Sequence, residues 1–326
     1  MAFAPGTSML LITERAGTIA MQDVKTGKSG TVTGAPKVDY GGQGGLGDIA
    51  FLPSEQSASI GRRTIFLTWV EAGPDDTRGV AVGRGALTCD AADACQISGL
   101  EVIWRQTPKV TGRGHFSHRL AFSPDGKYLF IASGERQKFT PAQDPGSDLG
   151  KIIRLPIDAA GKPAGPAERY SLGHRNILGL AFAPDGRLWD LEHGPAGGDE
   201  LNLVRQGANY GWPLVSEGRH YDGVFIPHHD TRPDLAAPAI YWNPVIAPGG
   251  MMFYTGKMWP EWQGQVLIGA MSPTAVVRVK IAGDTAAEQA RYPMARRIRA
   301  ITQDADGALL VLEDGADGRL LRLSRK

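Results

Sequence analysis

Residues 192 to 202 read EHGPAGGDELN, three glycines and a proline set among two glutamates, an aspartate and a histidine. Gly and Pro both break helices, and the stretch lacks the β-branched and aromatic residues of a strand. It reads as a shaped loop rich in oxygen donors and poor in side-chain bulk. A second chemical stretch, GRGHFSHRL (112–120), offers His115, a residue whose titration near neutral pH suits a general base; a histidine in a Gly-rich loop serves equally as a structural hydrogen-bonding residue. A third, RRIRA (296–300), alternates so that Arg297 and Arg299 share one face of a strand. Two planar guanidinium forks on one face suit a ligand with carboxylates, and a solvated basic edge is the alternative, above all for Arg296.

These stretches need a frame, and the chain supplies a repeated one. MAFAPGTSMLLITER (1–15), IAFLP…RRTIFLTWV (49–70), LAFSPDGKYLFIASG (120–134) and LAFAPDGRLWDLEHG (180–194) share one design. VIAPGGMMFYTG (245–256) and ITQDADGALLVLEDG (301–315) follow it more loosely. Each is a short apolar strand, a Pro/Asp/Gly turn and a second apolar strand. In P-D-G, Pro fixes φ, Asp bonds its own backbone and Gly supplies positive φ. Copies recur at roughly 50 to 70 residues, too irregular for a solenoid and suited to propeller blades with variable loops. Helical periodicity is almost absent, and 43 glycines with 22 prolines fit a turn-rich all-β chain. The expectation is one all-β domain over 1–326, a six-bladed β-propeller of four-stranded antiparallel blades, closed so that sheet edges are protected. Five stretches flank the repeats and belong to one class of loop: 39–51, 112–122, 171–182, 192–213 and 295–307.

Composition removes other classes. With 35 basic and 34 acidic residues and a net charge of +1, the chain has no electrostatic footprint for nucleic acid. No apolar run approaches about 18 residues, so no transmembrane helix is expected. The first residues lack the regions of a secretory signal and read as the interior of a repeat. Cys89 and Cys95 have no further ligands nearby for zinc; they form a short-loop disulfide if the compartment is oxidising, or stand as two reduced surface thiols.

Taken in order, GHRN, LAF-PDGRLW, EHGP-GGDELN and NYGWP resemble the soluble quinoprotein glucose/sorbosone dehydrogenases, and the resemblance runs from ITERAG to DGRLLRL. It implies a six-bladed propeller that binds pyrroloquinoline quinone (PQQ) and Ca²⁺ and oxidises aldose sugars at the anomeric carbon, with hydride passing to the quinone and electrons to an external acceptor. Calcium takes six to eight oxygens, backbone carbonyls among them. By resemblance the carbonyls of Gly194 and Pro195 hold the catalytic calcium, while Glu200 and Tyr210 match positions of a second, structural calcium in some members. His115 matches the general base. Arg175 and Asn176 match positions at the quinone, where a cation stabilises charge arriving with hydride; Arg297 and Arg299 match a carboxylate clamp, and Gln43 a polar cofactor contact.

The sequence departs from that pattern at several places. His118 stands where Gly or Ser is usual, Ser272 near a usual lysine, Glu135 in SGER for SGDR, and Asp190 in WDLEHG for a form nearer WATEHG. Other tempting residues have plainer readings. Trp189, Trp212, Trp242, Trp259 and Trp262 are read as packing, His228, His229 and Asp230 as a surface loop, and Tyr221 with Asp222 as an entrance to the sugar site. The resemblance implies a periplasmic or secreted enzyme, which favours a Cys89–Cys95 disulfide, acting as a monomer or homodimer without nucleic-acid or membrane-spanning partners. The alternatives are a calcium-dependent lactonase-like hydrolase and a non-catalytic binding propeller.

Overall fold

A computed structural model describes residues 1–91 and 94–325. The chain is strand throughout, with three short 3-10 turns at 140–143, 229–231 and 260–262 among the described residues. It divides into two compact units, the first comprising Met1–Pro141 and Pro145–Arg169, the second Ala142–Asp144 and Tyr170 onward.

The first unit opens with an eight-stranded sheet. Its strands are β1 (Ala2–Phe3), β2 (Met9–Glu14), β3 (Thr18–Asp23), β4 (Ser29–Thr33), β5 (Leu46–Phe51), β6 (Arg62–Ala72), β7 (Arg78–Ala91) and β8 (Ala94–Arg105). Their order is β1-β2-β3-β4-β8-β7-β6-β5. This is two antiparallel groups of four, joined where β4 runs parallel to β8, so the expected separate blades share an edge here. Cys89 and Cys95 face each other across β7 and β8 and are bridged as a disulfide. The next sheet orders β12-β11-β10-β9, from β9 (Ser117–Phe122), β10 (Tyr128–Ser133), β11 (Lys151–Pro156) and β12 (Glu168–Leu172).

In the second unit, β13 (Ile177–Phe182), β14 (Leu188–Glu192), β16 (Asp199–Leu203) and β18 (Ile240–Trp242) form one sheet in that order. A small ribbon pairs β15 (Ala196–Gly197) with β17 (Gly218–Arg219). A third sheet holds β19 (Pro248–Phe253), β20 (Val266–Met271), β21 (Thr274–Ala282) and β22 (Thr285–Pro293). The last has three strands rather than the expected four: β23 (Ile298–Gln303), β24 (Leu309–Glu313) and β25 (Leu320–Leu323).

The repeat seen in the sequence is the leading hairpin of each strand group. Its turns behave as their residues dictate. Gly126, Gly186 and Gly307 take φ of 70°, 85° and 85° and donate N–H to the carbonyls of Ser123, Ala183 and Asp304. Asp125, Asp185 and Asp304 accept from backbone amides two residues on. Within each unit the leading strands of successive groups pack face to face, β2 on β5 and β5 on β9, then β13 on β19 and β19 on β23. Burial of residues such as Ile49, Leu67 and Ile131 in one unit and Trp189, Leu191, Ile268 and Val311 in the other drives this stacking, each large apolar side chain contributing about 1.5–3 kcal/mol.

One irregularity recurs and positions the chemistry. β5, β9, β13, β19 and β23 each slip register near their first residues, between Leu46 and Ile49, Ser117 and Leu120, Ile177 and Gly179, Pro248 and Gly250, and Ile298 and Ala300. A bulge adds a residue, bends the strand and re-aims the side chains beside it. Four of the five flanking stretches run into such a bulge: 39–51, 112–122, 171–182 and 295–307.

Candidate functional site

In the first unit the stretch before β9 is conformationally expensive. His115, Ser117 and His118 take φ of 47°, 66° and 78°, and Arg136, Gln137 and Phe139, after β10, take 64°, 58° and 62°. Left-handed non-glycine backbone costs about 1–3 kcal/mol each and persists where surroundings impose it, often at functional sites. Here the surroundings are visible. The buried Arg136 guanidinium donates to the carbonyls of Gly112, Gly114 and Arg78 at 2.6, 2.9 and 2.7 Å and lies 3.7 Å over the Phe116 ring.

This framework holds His115 in one tautomer. Its Nδ1–H donates to Glu135 Oε1, and Glu135 Oε2 accepts from the amides of Lys138 (2.6 Å) and Phe139 (2.7 Å). With Nδ1 carrying the proton, Nε2 is the basic nitrogen. Gln43 is tied to the same loop: its Oε1 accepts from His115 N–H at 2.7 Å and its own amide donates to Arg113 O at 2.8 Å.

His118 turns inward. Its ring sits 5.6 Å from that of Phe116 and so close to Gly47 that a Cβ there would lie 2.5 Å from His118 Cγ. Its Nδ1 is buried without a hydrogen-bond partner, and burial, with Arg119, Arg136 and Arg15 adding to it, pushes its pKa down to about 3. The ring is a neutral packing element.

In the second unit, β14 and β16 are in register so that Asp190 opposes Asn202 and Glu192 opposes Glu200. Alternation puts all four on one face. The stretch GHRN, leading into β13, lies against them. His174 Nδ1 is 2.7 Å from Glu192 Oε1 and its ring stacks on Tyr210 at 4.6 Å. Arg175 N–H donates to Glu192 Oε2 at 2.6 Å, and its guanidinium donates to His193 O at 2.9 Å and lies 5.1 Å from the Trp212 ring, while its Nε is buried without a partner. Asn176 is buried beside it, its carbonyl accepting from His193 N–H.

The oxygen-rich loop wraps a cavity of about 20 Å³, lined by Arg175, Glu192, Gly194, Pro195, Glu200 and Tyr210 among others, room for one water-sized body. All four residues expected at metal therefore border one space. Gly194 explains the scarcity of side chains: a Cβ there would sit 2.2 Å from Gly198 O and 2.3 Å from Gly197 O. Its amide donates to Asp199 Oδ1 at 2.9 Å, and Asp199 Oδ2 accepts from Ile246 and Ala247, bracing the turn from below. Burial pushes Asp199 up to about 6. Burial and the charge of Glu192 hold Glu200 well above the usual carboxylate range. No hydrogen bond among the described residues uses the carbonyls of Gly194 or Pro195. The Tyr210 hydroxyl donates to Leu203 O and accepts from Arg205 N–H, and its carbonyl lies 3.2 Å from His229 Nε2.

Arg297 lies just before β23 and Arg299 within it, beside the bulge. Both reach Asp314, at 3.1 and 2.9 Å, and both remain partly exposed, so two cations share one carboxylate. Ser272 is exposed on the turn between β20 and β21.

Several residues gain roles that the sequence did not assign. Glu135, first read as a mild replacement, holds His115; His174, Glu192 and Asp199 organise the loop; Trp212 lines the cavity beside Arg175. The signal for Glu192 was its two-residue offset from Asp190 on a strand. The surface-loop reading of His228 and His229 is corrected: a 3-10 turn bends both toward Glu217, at 2.6 and 3.2 Å, and His229 is buried. Tyr221 is 78% exposed, its hydroxyl 3.5 Å from Arg175.

Residues 1–322 match the profile of the glucose/sorbosone dehydrogenase family. The aldose sugar dehydrogenase YliI of Escherichia coli K12 is 37% identical over 99% of this chain and 89% of its own length. A crystal structure of a glucose dehydrogenase superposes with a TM-score of 0.89 at 38% identity, covering 100% of this chain and 95% of the other. The PQQ-bound aldose sugar dehydrogenase of Streptomyces coelicolor superposes with 0.75 at 26% identity, covering 98% and 92%.

Proposed function

Because this chain belongs to the glucose/sorbosone dehydrogenase family, we propose that it is a PQQ- and calcium-dependent dehydrogenase that oxidises aldose sugars at the anomeric carbon. The observation that carries this reading is the Gly194–Pro195 turn of the second unit, which lines a cavity and whose carbonyls no hydrogen bond among the described residues uses; His115, held by Glu135 in the first unit, supports it.

The residues fit the groups they would hold. The cavity's lining includes the oxygen donors a hard cation requires, from Glu192, Glu200 and the backbone of Gly194 and Pro195, and the turn is so close at Gly194 that a Cβ would meet the carbonyls of Gly197 and Gly198. Two carbonyls, Gly194 and Pro195, would bind calcium, with Glu200 and the Tyr210 carbonyl belonging to a structural calcium. Arg175, whose Nε lacks a partner, would meet a quinone oxygen with Asn176. Arg297 and Arg299 would clamp cofactor carboxylates, and Gln43 would make a polar contact. Bound there, the quinone supplies the acceptor for hydride, and electrons leave to an external acceptor. His115 Nε2 takes the proton from the sugar's anomeric hydroxyl, a transfer that positioned bases accelerate by about 10²–10⁴-fold. Glu135, holding the proton on Nδ1, directs Nε2 to act as the acceptor and stabilises the imidazolium that forms.

The family placement, and the six strand groups led by β1–β2, β5–β6, β9–β10, β13–β14, β19–β20 and β23–β24, support a single six-bladed propeller. The disulfide supports export to an oxidising compartment such as the periplasm.

The test is dye reduction by apo-protein supplied with PQQ and Ca²⁺ and a panel of aldoses. Turnover that needs all three components is expected. Quinone-independent hydrolysis of sugar lactones, with no dye reduction, would replace the reading by a lactonase.

A further inference from the structure

One cluster in the second unit has no part in the chemistry above. His174, Asp190 and Glu192 each offer a ligand atom, and these atoms lie within 4.8 Å of one another. Asp190 and His174 are fully buried and Glu192 is 4% exposed. Strand pairing sets the arrangement: Asp190 and Glu192 share a face of β14, and Asn202 and Glu200 oppose them from β16. Like charges directly across a sheet are destabilising, and burial raises the cost. Asp190 and Glu192 meet a single imidazole, with Glu200 opposite Glu192 on the next strand, so the cluster's negative charge must be neutralised by protons or by a cation.

Two details favour a cation. Asp190 Oδ2 points into the cluster, 3.2 Å from His174 Nδ1, yet makes no hydrogen bond, because Nδ1 is directed at Glu192 Oε1, 2.7 Å away. A fully buried carboxylate oxygen without a partner is costly. The second detail is the far side of the imidazole, where Nε2 meets Ser171 Oγ at 2.8 Å. Metal-bound histidines are commonly fixed in this way by a group on the other nitrogen. Ligand atoms about 2.1 Å from a tetrahedral ion stand about 3.4 Å apart, so binding would widen the Nδ1–Glu192 Oε1 separation of 2.7 Å by about 0.7 Å and the Nδ1–Asp190 Oδ2 separation of 3.2 Å by about 0.2 Å. Asn202 Nδ2 donates to Asp190 Oδ1 while Asn202 Oδ1 is buried without a partner. Half a turn of that amide exchanges its oxygen for its nitrogen and adds a fourth donor.

The geometry points to a divalent transition-metal site formed by His174 Nδ1, Asp190 and Glu192, with Asn202 as fourth ligand. One nitrogen and carboxylate oxygens suit Zn²⁺ or Co²⁺ better than they suit Ca²⁺, which prefers oxygens. Glu192 borders both this cluster and the cavity. The bound ion would clasp the Ser171–Asn176 stretch to β14 and β16, and Arg175, next to His174, would be held with it.

The proposal is independent of the quinone, and so is its test. The full chain is stripped with a chelator, supplied with excess Ca²⁺, and titrated with Co²⁺, followed by visible d–d absorption and equilibrium dialysis. One equivalent of Co²⁺ is expected, displaced by Zn²⁺. Asp190→Asn and His174→Gln should lose it, and Glu200→Gln, outside the ligand set, should keep it. Folding of each variant is checked by circular dichroism. Absence of saturable Co²⁺ binding to the wild-type chain would overturn the site, with protons then neutralising the cluster; so would full binding in both ligand variants.

Discussion

At the scale of single residues, the account rests on what surrounds each titratable group. His115 is defined by Glu135, and Glu135 by the two amides that hold its other oxygen. Glu135→Gln keeps the volume but offers His115 an amide in place of a carboxylate, so the tautomer is no longer enforced. Sugar-dependent turnover of the reconstituted enzyme should fall about 100-fold or more, with PQQ binding unchanged; steady-state kinetics beside a quinone titration separates the two. His118 carries a pH prediction. Its pKa is 6.5 when unfolded and about 3 in the fold, so the unfolded chain takes up a proton first as pH falls. The stability it contributes is therefore full above about 6.5 and is lost on descent toward 3, at up to about 1.4 kcal/mol per pH unit. His118→Asn tolerates the left-handed φ and does not titrate. Denaturant unfolding of both proteins at several pH values should show a shallower acid limb in the variant, and identical limbs would refute the buried neutral imidazole.

At the scale of elements, the bulge that opens β5, β9, β13, β19 and β23 sets the stretches that run into them, and the turn after β14 is set by backbone crowding. Gly194→Ala inserts a methyl group where Gly197 O and Gly198 O already stand. The turn must open, and calcium affinity measured by calorimetry should drop about 10–100-fold, the range seen when support around a metal is removed, while the fold persists. Elements were also where the sequence was most legible. Each P-D-G turn dictated a hairpin, and the two arginines of R-I-R, expected to act together, both reach Asp314 although Arg297 precedes β23. What it did not show were pairings between distant strands. Nothing local in WDLEHG or DELNL says that Asp190 opposes Asn202, or that β4 runs beside β8. The surface-loop reading missed His229, which a 3-10 turn brings to Glu217 and buries.

At the scale of the whole molecule, a chain of 326 residues with net charge +1 builds almost everything from one repeated hairpin, and its chemistry lies in the stretches that flank the repeats. In EHGPAGGDELN, Gly194, Pro195, Glu192 and Glu200 line the cavity, and Asp199 accepts from the Gly194 amide. The resemblance carried by GHRN, EHGP and NYGWP reached the family from sequence alone, because those motifs encode backbone shape as well as side chains. The most direct test of the central claim is equilibrium titration of the apo-protein with PQQ, with and without Ca²⁺, read by quinone absorbance. Saturation at one quinone per chain, tightened by calcium and weakened in Arg175→Ala, is the predicted result. Absence of saturable binding in the presence of calcium would contradict the account.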